Sequence, residues 1–299
     1  MSSASFRGRS SSRRTAAQEP FTRALLRLLT TAVLYIALLF ISFIFILPFV
    51  WTLLGSLKRP GELLVVPIQW LPKVPQWDNY LKIFQAMPFG RSMLNSLVVS
   101  ASVAASVVFI GSLAGFALAK YRFRGQNAYV TFILSTMMVP YFVFLMPTFF
   151  MIHALGWVDT YWALIVPNCI TAFGVFFMKQ FIGATVPDEL IDAARIDGCS
   201  ELRMFLIIVM PLCKSAYLVL GVLTFIANWN DFLWPLVVTQ SREMFTLQLL
   251  LSSLQDGYGS MKFMPQLMAG TTVGLVPGLL LFILAQRQIV QGIAITGLK

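Results

Sequence analysis

Charge is what this 299-residue chain has least of: Asp, Glu, Lys and Arg make up 11% of it against 58% hydrophobic residues, at a mean hydropathy of +0.79. A soluble core cannot hide that much apolar surface whereas a bilayer can, so a polytopic membrane protein is indicated. Acids are scarcer than bases, 12 against 22, and the net charge of +10 would suit an anionic partner if topology did not account for it. Histidine occurs once, as His153, expected in a short outside loop. No HExxH, GxSxG or set of intramembrane carboxylates accompanies it, which excludes a membrane protease or hydrolase. No GxxxxGK[ST] phosphate loop occurs either, so the chain cannot hydrolyse ATP itself. Cys169, Cys199 and Cys213 are unpaired in spacing and lie in or beside inner segments, which suggests small packing residues and neither a disulfide frame nor a metal site.

Residues 1–27 are rich in Ser, Arg and Ala with Glu19 as the single acid, which predicts a disordered basic tail resting against anionic headgroups. Arg13-Arg14 mimics a twin-arginine export signal, but the apolar run that follows is too long for a signal segment and lacks a cleavage-like site. A span needs ~20 apolar residues to cross ~30 Å of hydrocarbon. Six stretches qualify, at approximately 30–56, 92–119, 127–150, 161–181, 213–238 and 267–286. The expectation is therefore an all-α integral membrane protein, with a tail over 1–27 and a six-helix transmembrane domain over 28–299. An even number of spans puts both ends on one side. The tail, the 120–126 loop, the 179–214 loop and the C-terminus then hold fifteen of the 22 basic residues, which places both termini in the cytoplasm.

The first outside loop, 57–91, carries Pro60, Pro67, Pro72, Pro75 and Pro88 with Trp70, Trp77 and Tyr80. Its prolines preclude a long helix and its aromatics favour the headgroup level, so it is expected along the outer membrane face. Gly111 and Gly115 form a GxxxG in the second span, and Gly270, Gly274 and Gly278 a continuous pair in the sixth; these are candidate helix interfaces, although glycine is also common in membrane helices generally. Pro140 and Pro147, Pro167 and Pro277 predict kinks in the third, fourth and sixth spans. In the last outside loop, 239–266, Gly257 and Gly259 predict a flexible, projecting turn.

The most informative intramembrane polar cluster is Asn228-Trp229-Asn230-Asp231, followed by Trp234-Pro235. Counted from Lys214, Asp231 lies ~25 Å up the fifth helix. An ionisable residue at such depth normally faces a cavity or a partner, so Asn228, Asn230, Asp231 and Trp234 are candidates for a substrate path, with Asn168 in the fourth span a further one. The competing possibility is that Asp231 caps or crosslinks helices near the outer interface and never meets substrate. For the whole chain the alternative is an ion-coupled secondary transporter of small polar solutes; the absence of a clear internal repeat counts against it.

Residues 186–211, VPDELIDAARIDGCSELRMFLIIVMP, are polar and helix-forming in a chain that is otherwise almost all apolar. Thr185 is expected to cap a helix, Pro187 sits near its first turn, Asp188 and Glu189 complement its dipole, and Gly198 stops it. Leu190, Ala193, Ala194 and Asp197 fall on one face, where the alanines would let a partner surface approach closely. Ser200 is expected to cap a second helix, in which Leu202, Phe205, Leu206 and Val209 repeat with helical period until Pro211 interrupts it.

At these residues the chain resembles the inner-membrane permease subunits of binding-protein-dependent ABC importers, whose cytoplasmic signature reads Glu-Ala-Ala, two residues, Asp-Gly, then Phe, Ile and Leu-Pro at fixed offsets. The corresponding residues are Asp192, Ala193, Ala194, Asp197, Gly198, Phe205, Ile208 and Pro211, with Asp192 standing for the glutamate, Cys199 for a common alanine and Met210 for a common leucine. The resemblance implies the type I importer permease fold and a non-catalytic subunit of the prokaryotic inner membrane. It also implies that this element docks into a cleft on an ATPase subunit, with Asp192, one methylene shorter than glutamate, facing a basic group there. The implied partners are a homologous second permease, two ATPase subunits that carry the ATP and Mg, and an extracytoplasmic substrate-binding protein; no cofactor sits on this chain and no nucleic acid is involved. WLPKVPQWDNY at 70–80, Asn95-Ser96 and the Trp-Asn-Asp-Phe run at 229–232 resemble the carbohydrate-importing, maltose-type branch, which implies a sugar or sugar derivative as cargo. In such relatives the last outside loop reaches into the binding protein, which assigns that contact to Asp256, Gly257, Tyr258 and Gly259. The C-terminal QRQIVQGIAITGLK resembles the family's ending between the ATPase subunits, with Lys299 alone representing the usual Lys-Gly.

Overall fold

The computed structural model describes residues 12–257 and 263–296, with side chains from 27 to 254 and 263 to 286 apart from Leu64 and Ala86. All regular structure in those residues is helical. Three unbroken helical stretches are long and apolar enough to cross a membrane: Arg27–Ser56 of α1 (Ser12–Ser56), α3 (Phe89–Lys120) and Met264–Gln286 of α14 (Met264–Thr296). Bent helix pairs supply the rest. α4 (Gln126–Met137) and α5 (Tyr141–Ala154) meet at 97°, and α6 (Tyr161–Ile165) with its 3-10 turn Val166–Asn168 meets α7 (Ala172–Thr185) at 42°. α11 (Lys214–Trp229) lies at 83° to the preceding Glu201–Leu212 segment, and counting each bent pair as one crossing gives up to six. The apolar stretch 213–238 is itself interrupted at 230–232, between α11 and α12 (Leu233–Val238).

Proline explains two of the breaks. Pro140 sits at the N-cap of α5, where it cannot donate a helical hydrogen bond and turns the residue before it away from helix. Pro167 lies in the 3-10 turn at the α6–α7 bend. Pro147 and Pro277 lie inside α5 and α14, whose helical assignment continues through them. α5 also runs on to Ala154, so His153 belongs to its last turn and not to a loop.

Around α3 pack α7 and α11, and α14 adds α2 (Asp78–Ala86), α11 and α13 (Leu247–Gly257). Small residues set these distances, because association in lipid depends on close packing more than on burial from water. A Cβ at Gly111 would lie 3.2 Å from the carbonyl carbon of Gly174, so the two helices touch backbone to backbone there. In α14, Gly270 and Gly274 receive Ile83, Leu251 and Leu247 side chains, whereas a Cβ at Gly278 would meet nothing within 4 Å, so that third glycine is not needed for contact. One buried cluster joins Val103, Val107 and Phe116 of α3 to Met178, Phe205 and Leu220; another joins Ile83, Phe89, Phe225, Trp229 and Leu250.

The proline-rich segment after α1 holds a 3-10 turn, Glu62–Leu64, and α2, and no long helix. Side chains fix it: Asn79 Nδ2 donates to the Ser56 and Lys58 carbonyls at 2.8 and 3.0 Å, and Ser56 Oγ and Tyr80 OH share a hydrogen bond of 2.7 Å. By internal contacts the chain divides at Leu54/Gly55. Residues 12–54 are helical throughout, including 12–27, where composition suggested a disordered tail; Ala16, Ala17, Ala24, Leu25 and Leu26 are strong helix formers. Asp256 and Gly257 fall in the last turn of α13, while Tyr258, Gly259 and the projecting turn lie outside the described residues, as does Lys299.

Candidate functional site

The polar stretch folds as α8 (Asp188–Ile196), a turn, α9 (Glu201–Met204), a π-helical turn over Phe205–Val209 and α10 (Met210–Leu212). Thr185 does not cap α8; α7 runs through it, Val186 ends α7 and Pro187 takes the N-cap position with no side-chain bond. Gly198 ends α8 in left-handed geometry at φ 76°. The Cys199 amide donates to Ala194 O at 2.9 Å and the Gly198 amide to Arg195 O at 3.0 Å, the paired bonds of a Schellman motif. Ser200 occupies the N-cap of α9 without a side-chain bond. Pro211 does not stop the second helix; the wider π turn before it absorbs the missing amide, and the bend comes after Leu212.

Of the face expected to meet a partner, Leu190, Ala193 and Asp197 are exposed and Ala194 is buried. Ile191 and Ala194 point into the chain's own core, and Glu189, Asp192, Ala193 and Ile196 point outward, with Ile196 86% exposed. The two alanines are therefore split between the faces. Burying Ile191 removes more apolar surface than burying either alanine, and three side chains lock that orientation. Lys120, at the end of α3, donates through Nζ to Val186 O and to Asp188 Oδ1, both at 2.5 Å. Its hydrogen bond, and then its charge, hold the Asp188 carboxyl below the usual carboxylate range. Arg195 places its guanidinium 5.1 Å from the centre of the Tyr121 ring and reaches Asp192 at 3.5 Å and Glu201 at 3.4 Å. Phe205 is fully buried and meets Phe116 at 5.8 Å and Phe109 at 6.3 Å, while Leu202 and Leu206, expected beneath, are exposed. The π turn shifts the register so that Met204, Phe205 and Val209 form the underside. Asp197 and Pro211 are exposed at the ends of α8 and α10.

The outward face is thus acidic and apolar together, on a helix fixed from behind. Beside it lies a cleft of 340 Å³ lined by Lys120, Arg122, Asp188, Asp192 and Arg195. Lys120, Tyr121 and Arg195 were not apparent from sequence, since Lys120 and Asp188 stand 68 positions apart and only folding joins them.

The intramembrane candidates divide. Asn168 and Trp234 line one cleft of 410 Å³ together with Tyr141, Thr136, Thr148 and Thr171. Trp234 is buried and its indole donates to Ala163 O at 2.9 Å, so it also ties α12 to α6. Asp231, in the break between α11 and α12, accepts the Trp234 amide at 3.4 Å in a capping geometry. Asn230 lies on the other side, where Gln248 Nε2 reaches its Oδ1 at 3.5 Å, and Asn228 Nδ2 donates back to Thr224 O at 2.9 Å within α11.

Residues 107–295 match the family model described as binding-protein-dependent transport system inner membrane component. Among curated proteins, the arabinooligosaccharides transport system permease protein AraQ of Bacillus subtilis (strain 168) is 36% identical over 87% of this chain and 92% of its own length. The lactose transport system permease protein LacG of Rhizobium radiobacter is 32% identical, over 89% and 96%. The sn-glycerol-3-phosphate transport system permease protein UgpE of Yersinia enterocolitica is 33% identical, over 76% and 83%. A crystal structure of a bacterial ABC transporter involved in the import of the acidic polysaccharide alginate shares the fold at a TM-score of 0.77 and 19% identity, covering 87% of this chain and 96% of that one. These matches leave the ion-coupled transporter without support. This all-helical, multi-pass chain belongs to the family of inner membrane components of binding-protein-dependent transport systems, the non-catalytic permease subunits of ABC importers.

Proposed function

We propose that this chain forms half of the translocation path of an ATP-driven importer for a sugar or sugar derivative. Three relatives spread over most of the chain are named for arabinooligosaccharide, lactose and glycerol-3-phosphate transport, which supports a carbohydrate-like cargo. The single observation that carries the mechanism is α8, whose back is tied to α3 while its acidic and apolar front is left open. An exposed Ile196 beside Asp192 and Glu189 suits a cleft with an apolar floor and a basic rim, which is the surface expected of an ATPase subunit. ATP and Mg would sit on that subunit, and closure of two such subunits would push α8 and tilt the bundle. The excess of basic residues in the tail, the 120–126 loop, the α8 loop and the C-terminus supports a cytoplasmic position for both termini. A second, homologous permease would complete the path, and a soluble binding protein would deliver cargo from outside.

The cleft around Asn168, Tyr141 and Trp234 is the proposed cargo-facing surface, since hydroxyl and amide groups beside aromatic rings suit a sugar's alternating polar and apolar faces. Purification of the tagged chain from its native membrane should yield an ATPase subunit, a second permease and, with cargo, the binding protein. A thermal-shift panel of arabinooligosaccharides, lactose, polyols and glycerol phosphates on that binding protein should then identify the cargo. A chain that purifies without an ATPase subunit, or a binding protein that responds to no carbohydrate, would overturn the proposal.

A further inference from the structure

We propose that α3 is a rigid strut that carries the state of the binding-protein-facing outer segment to the ATPase-facing α8, with Asn95 and Lys120 as its two fastenings; this rests on the orientation and partners proposed above. Asn95 is fully buried in the outer part of α3 and uses its whole side chain. Its Nδ2 donates to the Glu243 and Phe245 carbonyls at 2.7 and 3.0 Å, and its Oδ1 accepts from Tyr161 OH at 2.6 Å. One residue on, Ser96 Oγ accepts the Leu247 amide, the first of α13, at 2.8 Å. Asp159 fixes the same segment upstream by accepting the Gln240 and Ser241 amides at 2.9 and 3.0 Å. Burial raises the Asp159 carboxyl, but these amides outweigh it and hold the group below its ordinary value. The base of the last outer segment is therefore attached to the end of α3 at Glu243, Phe245 and Leu247, and to the loop before α6 at Gln240 and Ser241.

At the other end, Lys120 grips the start of α8, Tyr121 lies under Arg195, and Phe116 packs against Phe205. Asn95 and Lys120 are 25 positions apart, which is ~37 Å along a helix. α3 contains no proline and is unbroken, unlike the neighbouring pairs α4–α5 and α6–α7, which bend by 97° and 42°. Gly111 and Gly115 seat it directly on the α7 backbone, so little side-chain slack intervenes. Displacing the outer segment must therefore displace α8.

The test is the ratio of binding-protein-stimulated to basal ATP hydrolysis in the complete complex reconstituted in liposomes. Asn95→Asp keeps the acceptor for Tyr161 but turns a donor into an acceptor facing two carbonyls, and the ratio should fall about tenfold, the effect of ~1.4 kcal/mol of coupling. Lys120→Met should lower it comparably, Lys120→Arg should restore most of it, and Ser96→Ala should give a smaller fall. Asn95→Asp with Lys120→Met should be no worse than the poorer single variant, because both sever one strut. Wild-type ratios in all variants, losses that multiply in the double variant, or failure of all of them to assemble would overturn the strut. Should the wild-type complex itself show no stimulation by its binding protein, the proposed function fails instead.

Discussion

Gly115 and Lys179 meet backbone to backbone: a Cβ on Gly115 would stand 2.7 Å from the Lys179 amide nitrogen and 2.8 Å from the Met178 Cβ. Neither obstacle is the far end of a flexible side chain, so α3 and α7 cannot keep their distance if either glycine of the pair acquires bulk. The small-residue motif in the second span acts here as a spacing device between two specific helices.

Gly115→Ala should consequently destabilise the chain by ~1–3 kcal/mol, as overpacking does, and lower its thermal midpoint in detergent by several degrees. Gly183→Ala is the control, since its Cβ would meet Ala119 at 4.0 Å, ordinary contact. Equal midpoints for the two variants would show that α3 and α7 separate at no cost.

Gly198→Val should displace the turn after α8, because φ 76° resists a β-branched residue by ~1 kcal/mol or more. Nothing lies within 4 Å of the added Cβ, so the effect is conformational and Gly198→Asn should be milder. The valine variant should reach the membrane with its partner permease yet lose ATPase subunit on purification. Stoichiometric ATPase in both variants would remove this turn from the docking surface.

Asp192→Lys should also release the ATPase subunit. Asp192 is exposed and its nearest ionic partner, Arg195, stands 3.5 Å away, so a lysine there meets like charge in its own helix and, on the proposed reading, in the partner cleft. Co-purification and stimulated hydrolysis at wild-type levels would refute an electrostatic role for this position.

Asp231 can be tested by separating its capping bond from its charge. Asp231→Asn keeps an oxygen for the Trp234 amide, so thermal stability should stay near wild type while uptake falls; Asp231→Ala should lose both, the cap accounting for ~0.5–2 kcal/mol. Full uptake in the asparagine variant would assign Asp231 to capping α12.

The Lys120–Asp188 pair should show a defined pH dependence. Because the folded carboxyl lies below its ordinary value of 3.8, the pair's contribution is complete above that value and is lost as pH falls through the depressed one. The difference in thermal midpoint between wild type and Asp188→Asn should stay constant from about pH 5 to 8 and shrink below about pH 4. A difference that changes near neutrality would mean that another group titrates at this junction.

Sequence by itself determined the class, the family and the place of the polar element. The apolar content forces a membrane solution wherever the chain is described, GxxxG spacing marks where two helices can approach, and the pattern from Asp192 to Pro211 is local, so it survives without knowledge of the fold. Only the tertiary structure decided which side of α8 faces out, because periodicity places Leu190, Ala193 and Ala194 together but cannot say that Lys120, 68 positions before Asp188, will pin the rotation. The same holds for the spans: hydropathy counts apolar residues and is blind to backbone direction, so it found 213–238 but not the break at 230–232, whereas the break at Pro140 in 127–150 was legible in the proline itself. Asn95 is the clearest case. Its amide satisfies two carbonyls nearly 150 residues downstream, at 243 and 245, and such long-range bonds exist only once packing has brought α3 beneath that segment.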